Sequence, residues 1–320
     1  MPRRLVLARF LCGLLPLILA QRVRSWIYPW PRPLREQGHF RVRSITGSAL
    51  SGELGDFHGH RFAVHGFYDW RNLAIAASVC AEGDTIVEVG ANVGTETVGY
   101  SDIVGPSGRV IAFEPVPENV SILQRNLSRW RNQNTDLRAA AVADRVGRVA
   151  FQLPTSAANS GEGHLLATSQ PSGLEVEVDC VTLDSVLEGA RNIELIAIDV
   201  EGSEPQVLRG ARNVLAIRGP VLVLEVSPSL LDRQGHSVDG LRSILTDIQY
   251  TPFEISRIGL IAPVTAPPHT TNWVCLSASR LHLASRISRA LTASALLPPL
   301  LSIHPLRKYR TLGPRSRTSS

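Results

Sequence analysis

The chain has 320 residues, 44% of them hydrophobic and 19% charged, with a formal net charge of +5. That mixture excludes a disordered chain and a polytopic membrane protein, and suits one large α/β domain with extensions. Residues 1–45 hold nine arginines against Glu36, and residues 277–320 hold seven arginines and Lys308 against no acid. Each end is thus +8, which leaves residues 46–276 at −11. An acidic body argues against a nucleic-acid partner, whereas two basic ends suit an anionic membrane surface or stand as solvated tails.

Residues 1–45 read as a basic, apolar N-terminal extension. Arg3, Arg4 and Arg9 lead into the apolar run 10–20 (FLCGLLPLILA), which Pro16 interrupts and Arg22 and Arg24 follow. The run lacks a cleavage site of signal-peptide type and is shorter than the ~20 residues a bilayer span needs. It fits a helix lying in a membrane interface, with Trp26, Tyr28 and Trp30 at headgroup depth. The expected location is the cytoplasm, peripheral to the inner face of the membrane. Residues 46–70, rich in glycine, histidine and aromatics, predict a small β-rich entry lobe ahead of the main fold.

From residue 71 to 276 strand-like and helix-like segments alternate. Strands are expected at 84–89 (DTIVEV), 109–113 (RVIAF), 137–142, 193–200 (IELIAIDV) and 221–226 (VLVLEV), with 250–256 and 273–276 completing the sheet. Helices are expected at 95–104, 117–130 (Pro117 in the first turn), 203–217 and 238–249. Ser203 followed by Gln206 reads as a capping box. The pattern predicts a doubly wound, mainly parallel, seven-stranded sheet. Residues 155–173, rich in Gly and Ser, predict a mobile loop, and 277–320 a basic tail. The four cysteines, Cys12, Cys80, Cys180 and Cys275, show no CxxC or Cys/His spacing and read as buried free thiols.

In such sheets ligands bind beyond the carboxyl ends of the strands. The first strand ends in Glu88-Val-Gly90-Ala-Asn92-Val-Gly94. Glycines allow a sharp turn and close approach to a ligand, and asparagine tolerates the left-handed region. Glu114 stands at the second strand end, where a carboxylate can accept both hydrogens of a ribose diol. The loop lacks the third glycine of a dinucleotide fingerprint, which suits a nucleoside without phosphates such as S-adenosylmethionine. A nicotinamide-dependent oxidoreductase is the disfavoured alternative.

These residues give a specific resemblance. The segments 88–94 (EVGANVG), 108–115 (GRVIAFEP), Asn126-Leu127, 141–144 (AVAD), 182–184 (TLD), 198–204 (IDVEGSE), 207–211 (VLRGA) and Glu225 run in order. Over about half the chain the sequence resembles the FkbM-type S-adenosylmethionine-dependent methyltransferases. The resemblance implies a class I methyltransferase (Rossmann-like) fold. It also implies methyl transfer to a hydroxyl of a sugar, a polyketide or another secondary metabolite, and contact of the ends with a membrane would make a glycan or lipid-linked glycan the expected acceptor. It places Gly90, Asn92 and Gly94 by the methionine moiety, Glu114 on the ribose, and Ala143 and Asp144 near the adenine. Glu88 stands where the family often has Asp, and Ala197 where it often has Lys.

At alternate positions of an extended segment, Asp199 and Glu201 face the same way, and either can accept the acceptor's proton. Asp199 is the leading candidate. Glu204 has the alternative role of favouring a helix N-terminus. Carboxylates here can also hold a divalent ion, but no histidine or further acid at diagnostic spacing supports one, so no metal is expected. His58, His60 and His65 offer another base or pack the lobe, and Tyr68 and Trp70 contact ligand or cover the core. A membrane-peripheral binding module that keeps the fold without turnover is the second alternative.

Overall fold

The computed structural model describes residues 2–30, 38–153, 161, 163–165, 175–256, 258–259, 261–264 and 270–311. In chain order, α1 (Arg3–Leu14) and α2 (Leu17–Ile27) precede the hairpin β1 (His39–Arg43) and β2 (Ala49–Glu53) and helix α3 (Phe57–His65). The main fold follows as α4 (Trp70–Val79), β3 (Thr85–Val89), α5 (Thr97–Val104), β4 (Arg109–Phe113), α6 (Pro117–Leu127) and β5 (Thr135–Arg138). Then come β6 (Ala141–Val142), β7 (Gly147–Gln152), β8 (His164–Leu165), β9 (Glu175–Val181), α7 (Leu183–Val186) and β10 (Ile193–Ile198). The chain continues with α8 (Glu204–Arg209), α9 (Arg212–Arg218), β11 (Val221–Val226), α10 (Pro228–Arg233) and α11 (Val238–Asp247). It finishes with β12 (Tyr250–Ile255), β13 (Ile261–Pro263), β14 (Thr271–Ser277) and α12 (Ala284–Leu296).

Among the described residues the main sheet has eight strands, ordered β13-β12-β14-β11-β10-β3-β4-β5. The run β11-β10-β3-β4-β5 is parallel, and β14, β12 and β13 pair antiparallel in turn. Six of the expected seven strands are present, β5 stands in place of the seventh, and the short β13 adds an eighth. All five residues of β3 are buried, because helices cover both faces of the sheet. The strand period of two sorts the core. Ile86, Leu195, Ala197 and Val223 join the cluster under α4, α5 and α12, whereas Val87, Val89, Ile196, Ile198 and Leu224 join the cluster on the opposite face.

Four expectations change. The segment 137–142 is not one strand: β5 stays in the main sheet, and β6 turns into a second sheet ordered β6-β9-β7-β8. The expected lobe at 46–70 is mixed rather than β-rich. Its hairpin begins at His39, and residues 57–65 form a helix because the Asp56 side chain accepts the Gly59 N–H and Gly66 ends it in the left-handed region. The helix expected at 203–217 breaks into α8 and α9. Gly210 lies so close to the Ala143 carbonyl that a Cβ would meet it at 2.0 Å, and the chain turns there. Ser203 makes no capping hydrogen bond; instead the Asp184 carboxylate caps α9, accepting from the Asn213 and Val214 N–H groups at 3.1 and 2.9 Å. Lastly, α1 and α2 place Leu5, Ala8, Cys12, Leu17 and Ala20 in the same core as α4, and α12 adds Ile287 and Leu291. The four cysteines are buried and unbridged. No helix among the described residues is long and apolar enough to cross a membrane.

Candidate functional site

The strand register builds the site. Ile198 lies beside Leu224 on one side and Val89 on the other, and Val89 lies beside Phe113. The next residue of each strand therefore falls in one row across the carboxyl edge: Glu225, Asp199, Gly90, Glu114. A cavity of about 550 Å³ opens over this row. The β14 residues Thr271 and Asn272 and the lobe residues His58, Arg61 and Tyr68 complete its rim, and Ala140–Val142, Phe151 and Leu165 form an apolar end.

Gly90 is required by space as well as by its φ of +94°, since a Cβ would lie 1.9 Å from the Asp199 carbonyl oxygen. Asn92 follows in the left-handed region, at φ 49°. Its backbone N–H donates to Glu114 Oε2 at 2.8 Å, while Glu114 Oε1 accepts from the Val116 N–H at 2.9 Å and Asn119 Nδ2 at 3.3 Å. Burial raises the Glu114 pKa to about 7 against these donors. Oε1 is thus filled by two donors, whereas Oε2 takes one and keeps a second lone pair for a ligand hydroxyl.

On the opposite side of the row three carboxylates converge. Asp199, Glu201 and Glu225 each bring an oxygen within 4.8 Å of the others. Glu201 reaches them from a left-handed backbone (φ 54°) and not from an extended strand, which ends at Ile198. Asp199 is open to the cavity. Burial raises the Asp199 carboxyl, and the charge of Asp199, more than burial, raises its hydrogen-bonded partner Glu225 well above the carboxylate range. Two carboxyls so joined share a proton.

A deeper acidic layer lies under Gly90. Glu88, on the face toward α4 and α5, is buried with Oε2 lacking a partner, and its pKa is raised well above the ordinary value by burial first. Both Glu96 oxygens accept from Asn72 Nδ2 at 2.9 Å, and Oε2 also accepts from the Tyr100 hydroxyl. Burial lifts Glu96 to about 8. Asp69 goes the other way: burial raises it, but the Arg71 guanidinium bonded to it outweighs that and holds it low.

Six predicted residues line the cavity: Glu88, Gly90, Asn92, Glu114, Asp199 and Glu201. Three do not. Gly94 packs against Leu123 of α6, Ala143 is buried against Gly210, and Asp144 is exposed on the surface; Ala140, Ala141 and Val142 take the wall position just before them. The histidines separate. His58 lies beside Asn92 and Tyr68 in the wall, whereas His60 stacks on Tyr28 and His65 on Phe67 inside the lobe. Tyr68 lines the cavity, and Trp70 is core. Glu204 is buried outside the wall and accepts the Val200 and Gly202 N–H groups, shaping the loop after β10. Most of the loop expected at 155–173 lies outside the described residues. Glu225, Glu96, Asn72 and Arg61 were not assigned from sequence. Glu225 carried the same signal as Glu114, an acid closing an apolar strand run.

A parallel sheet with a nucleoside-sized cavity over its carboxyl edge, an acid beside the first glycine turn and an acid row at the next strand ends define a class I methyltransferase fold. Residues 88–252, just over half the chain, match the methyltransferase FkbM domain. The chain belongs to that family. It is 28% identical over 184 residues to the hexuronic acid methyltransferase AglP of Haloferax volcanii, covering 53% of this chain and 72% of that protein. It is 28% identical over 143 residues to methyltransferase 1 of Beauveria bassiana, covering 39% of this chain and 57% of that one. A solved FkbM methyltransferase from Methylobacillus flagellatus is 16% identical with a TM-score of 0.40, over 84% of this chain and 58% of its own. The chain thus spans little more than half of the last two proteins.

Proposed function

We propose that the protein is an S-adenosylmethionine-dependent methyltransferase acting on a hydroxyl oxygen of a sugar, a glycan or a related small molecule. The observation that carries this reading is the row Glu225, Asp199, Gly90, Glu114 under one cavity. The residues present fit the cofactor. Gly90 lets the turn pack on the Asp199 carbonyl at the edge of the cavity, Glu114 Oε2 keeps a lone pair for a ribose hydroxyl, and Ala140–Val142 with Phe151 offer an apolar surface for a base. The many carboxylates suit a sulfonium cation, and the loop presents no phosphate cradle. When bound, the cofactor supplies a methyl group already activated for in-line displacement.

The chain's own residues then do three things. Glu114 and the Gly90–Asn92 turn fix the cofactor end. The Asp199–Glu225 pair, sharing a proton, takes the acceptor's proton as charge leaves its oxygen. The lobe rim, His58 and Tyr68, narrows access to the cavity, so the acceptor is held in reach of the methyl group with little water. The AglP similarity supports a sugar-type acceptor. Calorimetry with S-adenosylmethionine, paired with S-adenosylhomocysteine release over a panel of hydroxylated acceptors, tests the reading. Absence of cofactor binding by the folded protein ends it.

We further propose that the acceptor is met at an anionic membrane surface on the cytoplasmic side. Helix α1 has apolar residues on its outer as well as its inner side: Leu5, Ala8 and Cys12 are buried, yet Val6, Leu7, Phe10 and Leu14 are exposed. Trp26 is 90% exposed at the end of α2. Leu300, also exposed, donates its N–H to Gly13 O at 3.0 Å, which brings the apolar C-terminal residues Leu296, Leu301 and Ile303 to the same side. Arg3, Arg4, Arg22, Arg286 and Arg289 are exposed among them, and residues 1–35 and 277–320 contain no acid. Apolar side chains ringed by unopposed arginines match an anionic bilayer interface.

A further inference from the structure

Two half-buried arginines, one on the lobe helix and one on α2, form no ion pair among the described residues. Arg61, on α3, lines the cavity with its guanidinium 4.8 Å above the Tyr68 ring and 5.5 Å from that of Phe57. Its Nε is buried without an acceptor. Arg24, on α2, likewise buries Nη1 without an acceptor. No ion pair is formed by either among the described residues, although Arg71 in the same wall is neutralised by Asp69. The two lie near enough that Arg61 helps burial depress the Arg24 pKa to about 10. A half-buried cation facing another cation is costly unless an anion completes the site. Stacking on two aromatic rings fixes the plane of the guanidinium, which leaves its fork ready for a bidentate oxyanion.

Arg61 belongs to the lobe wall of the cavity, whereas Glu114 belongs to the row of strand ends. Glu114 and Glu225 sit on strands three steps apart, about 14 Å at the 4.8 Å strand spacing. Tyr68, on whose ring the Arg61 guanidinium stacks, lines the same cavity as Asp199 and Glu225. Arg61 therefore reaches the same cavity as the proton-sharing pair from a separate element, the lobe helix.

We propose that Arg61, backed by Arg24, is the acidic-group subsite of the acceptor, so that the methylated molecule is a hydroxylated sugar bearing an oxyanion. This rests on the methyl-transfer reading of the same cavity. The oxyanion is a carboxylate, as in a uronic acid, or a phosphate, as in a sugar phosphate, and both present the same paired oxygens to the fork.

The test is binding to the full chain loaded with S-adenosylhomocysteine, by calorimetry or ligand-observed NMR, using glucuronate, glucose 6-phosphate and glucose. At least one anionic sugar is expected to bind ten times or more tighter than glucose, and the better of the two names the source. Arg61→Met is expected to erase the preference while leaving S-adenosylhomocysteine affinity within twofold, and Arg61→Lys to restore part of it. Equal binding of all three sugars, or none, overturns the proposal. So does a fall in S-adenosylhomocysteine affinity in Arg61→Met, which would assign the arginine to the cofactor's own carboxylate. If the unaltered protein does not bind S-adenosylhomocysteine at all, the methyl-transfer reading fails first and on its own evidence.

Discussion

Glu114 accepts a ribose hydroxyl best in ionised form, yet burial raises its pKa to about 7. Cofactor affinity is therefore expected to climb as pH rises toward about 7 and to level off above it. Isothermal titrations at a series of pH values read this directly, and Glu114→Ala should bind at least tenfold more weakly, on the order of 1.5–3 kcal/mol for hydrogen bonds to a charged group. Stability follows the opposite course. A carboxyl with a raised folded pKa keeps a proton that the unfolded chain gives up near its ordinary value of 4.5. Folding loses ground as pH rises from there through the folded pKa. Glu96 at about 8 and Glu204 at about 7 act in the same sense. Urea unfolding of the ligand-free protein should show lower stability at pH 8 than at about pH 5, and a rise with pH would contradict these burials. In the other half of the row, the charge of Asp199 is what chiefly raises Glu225. Asp199→Asn is expected to lower turnover far more than cofactor affinity and to move the acid limb of the rate profile downward. Unchanged turnover would remove Asp199 from proton transfer.

Among the elements, the lobe hairpin depends on one buried acid. Asp102 of α5 accepts from the Thr46 hydroxyl at 2.9 Å, the Ser48 N–H at 2.7 Å and the Ser48 hydroxyl at 2.6 Å, and pairs with Arg131. Its side chain is wholly buried, so Asp102→Ala leaves Arg131 and three donors uncompensated. The expected cost is about 3–5 kcal/mol in chemical denaturation. Because the same hairpin leads into α3, the lobe that carries His58 and Arg61 should loosen first. Hydrogen exchange over residues 39–65 should rise in that variant before the sheet is affected. The second sheet has a comparable positional role. Its core of Val116, Ala141, Ala143, Phe151, Leu165, Val178 and Cys180 carries the apolar end of the cavity. Nothing in the Gly- and Ser-rich sequence around residue 160 signalled it, because its pairing is decided by β7 and β9, which are over twenty residues apart.

For the molecule as a whole, the terminal segments serve two surfaces at once. Their inner side chains complete the core, so a 46–276 fragment is expected not to fold, and circular dichroism of it would settle that. The membrane reading is therefore tested in the full chain, by flotation with vesicles containing phosphatidylserine. Phe10→Ser with Trp26→Ser should reduce binding several-fold without lowering the melting temperature, since both side chains are exposed. Equal flotation with neutral vesicles, no flotation, or burial of the face in a dimer by light scattering would each overturn it.

The strands of the main sheet between 84 and 277 other than β13, its parallel half and the glycine turn were legible in the sequence, because buried strands leave continuous apolar runs and strand ends are punctuated by glycine or acid. Glu88, Gly90, Asn92, Glu114, Asp199 and Glu201 were legible for the same reason: each lies within three residues of a strand end and inherits its position from local pattern. Tertiary structure decided what depends on register and on distant partners. Only the pairing of β10 with β11 brings Glu225 to Asp199, and only the docking of α2 and α3 on the body brings Arg24 and Arg61 together. The contact of Gly13 with Leu300 and the packing of α2 on α12 make one face of the two ends. Local sequence specifies which faces a segment must bury, whereas the identity of the partner that buries them is a property of the closed chain.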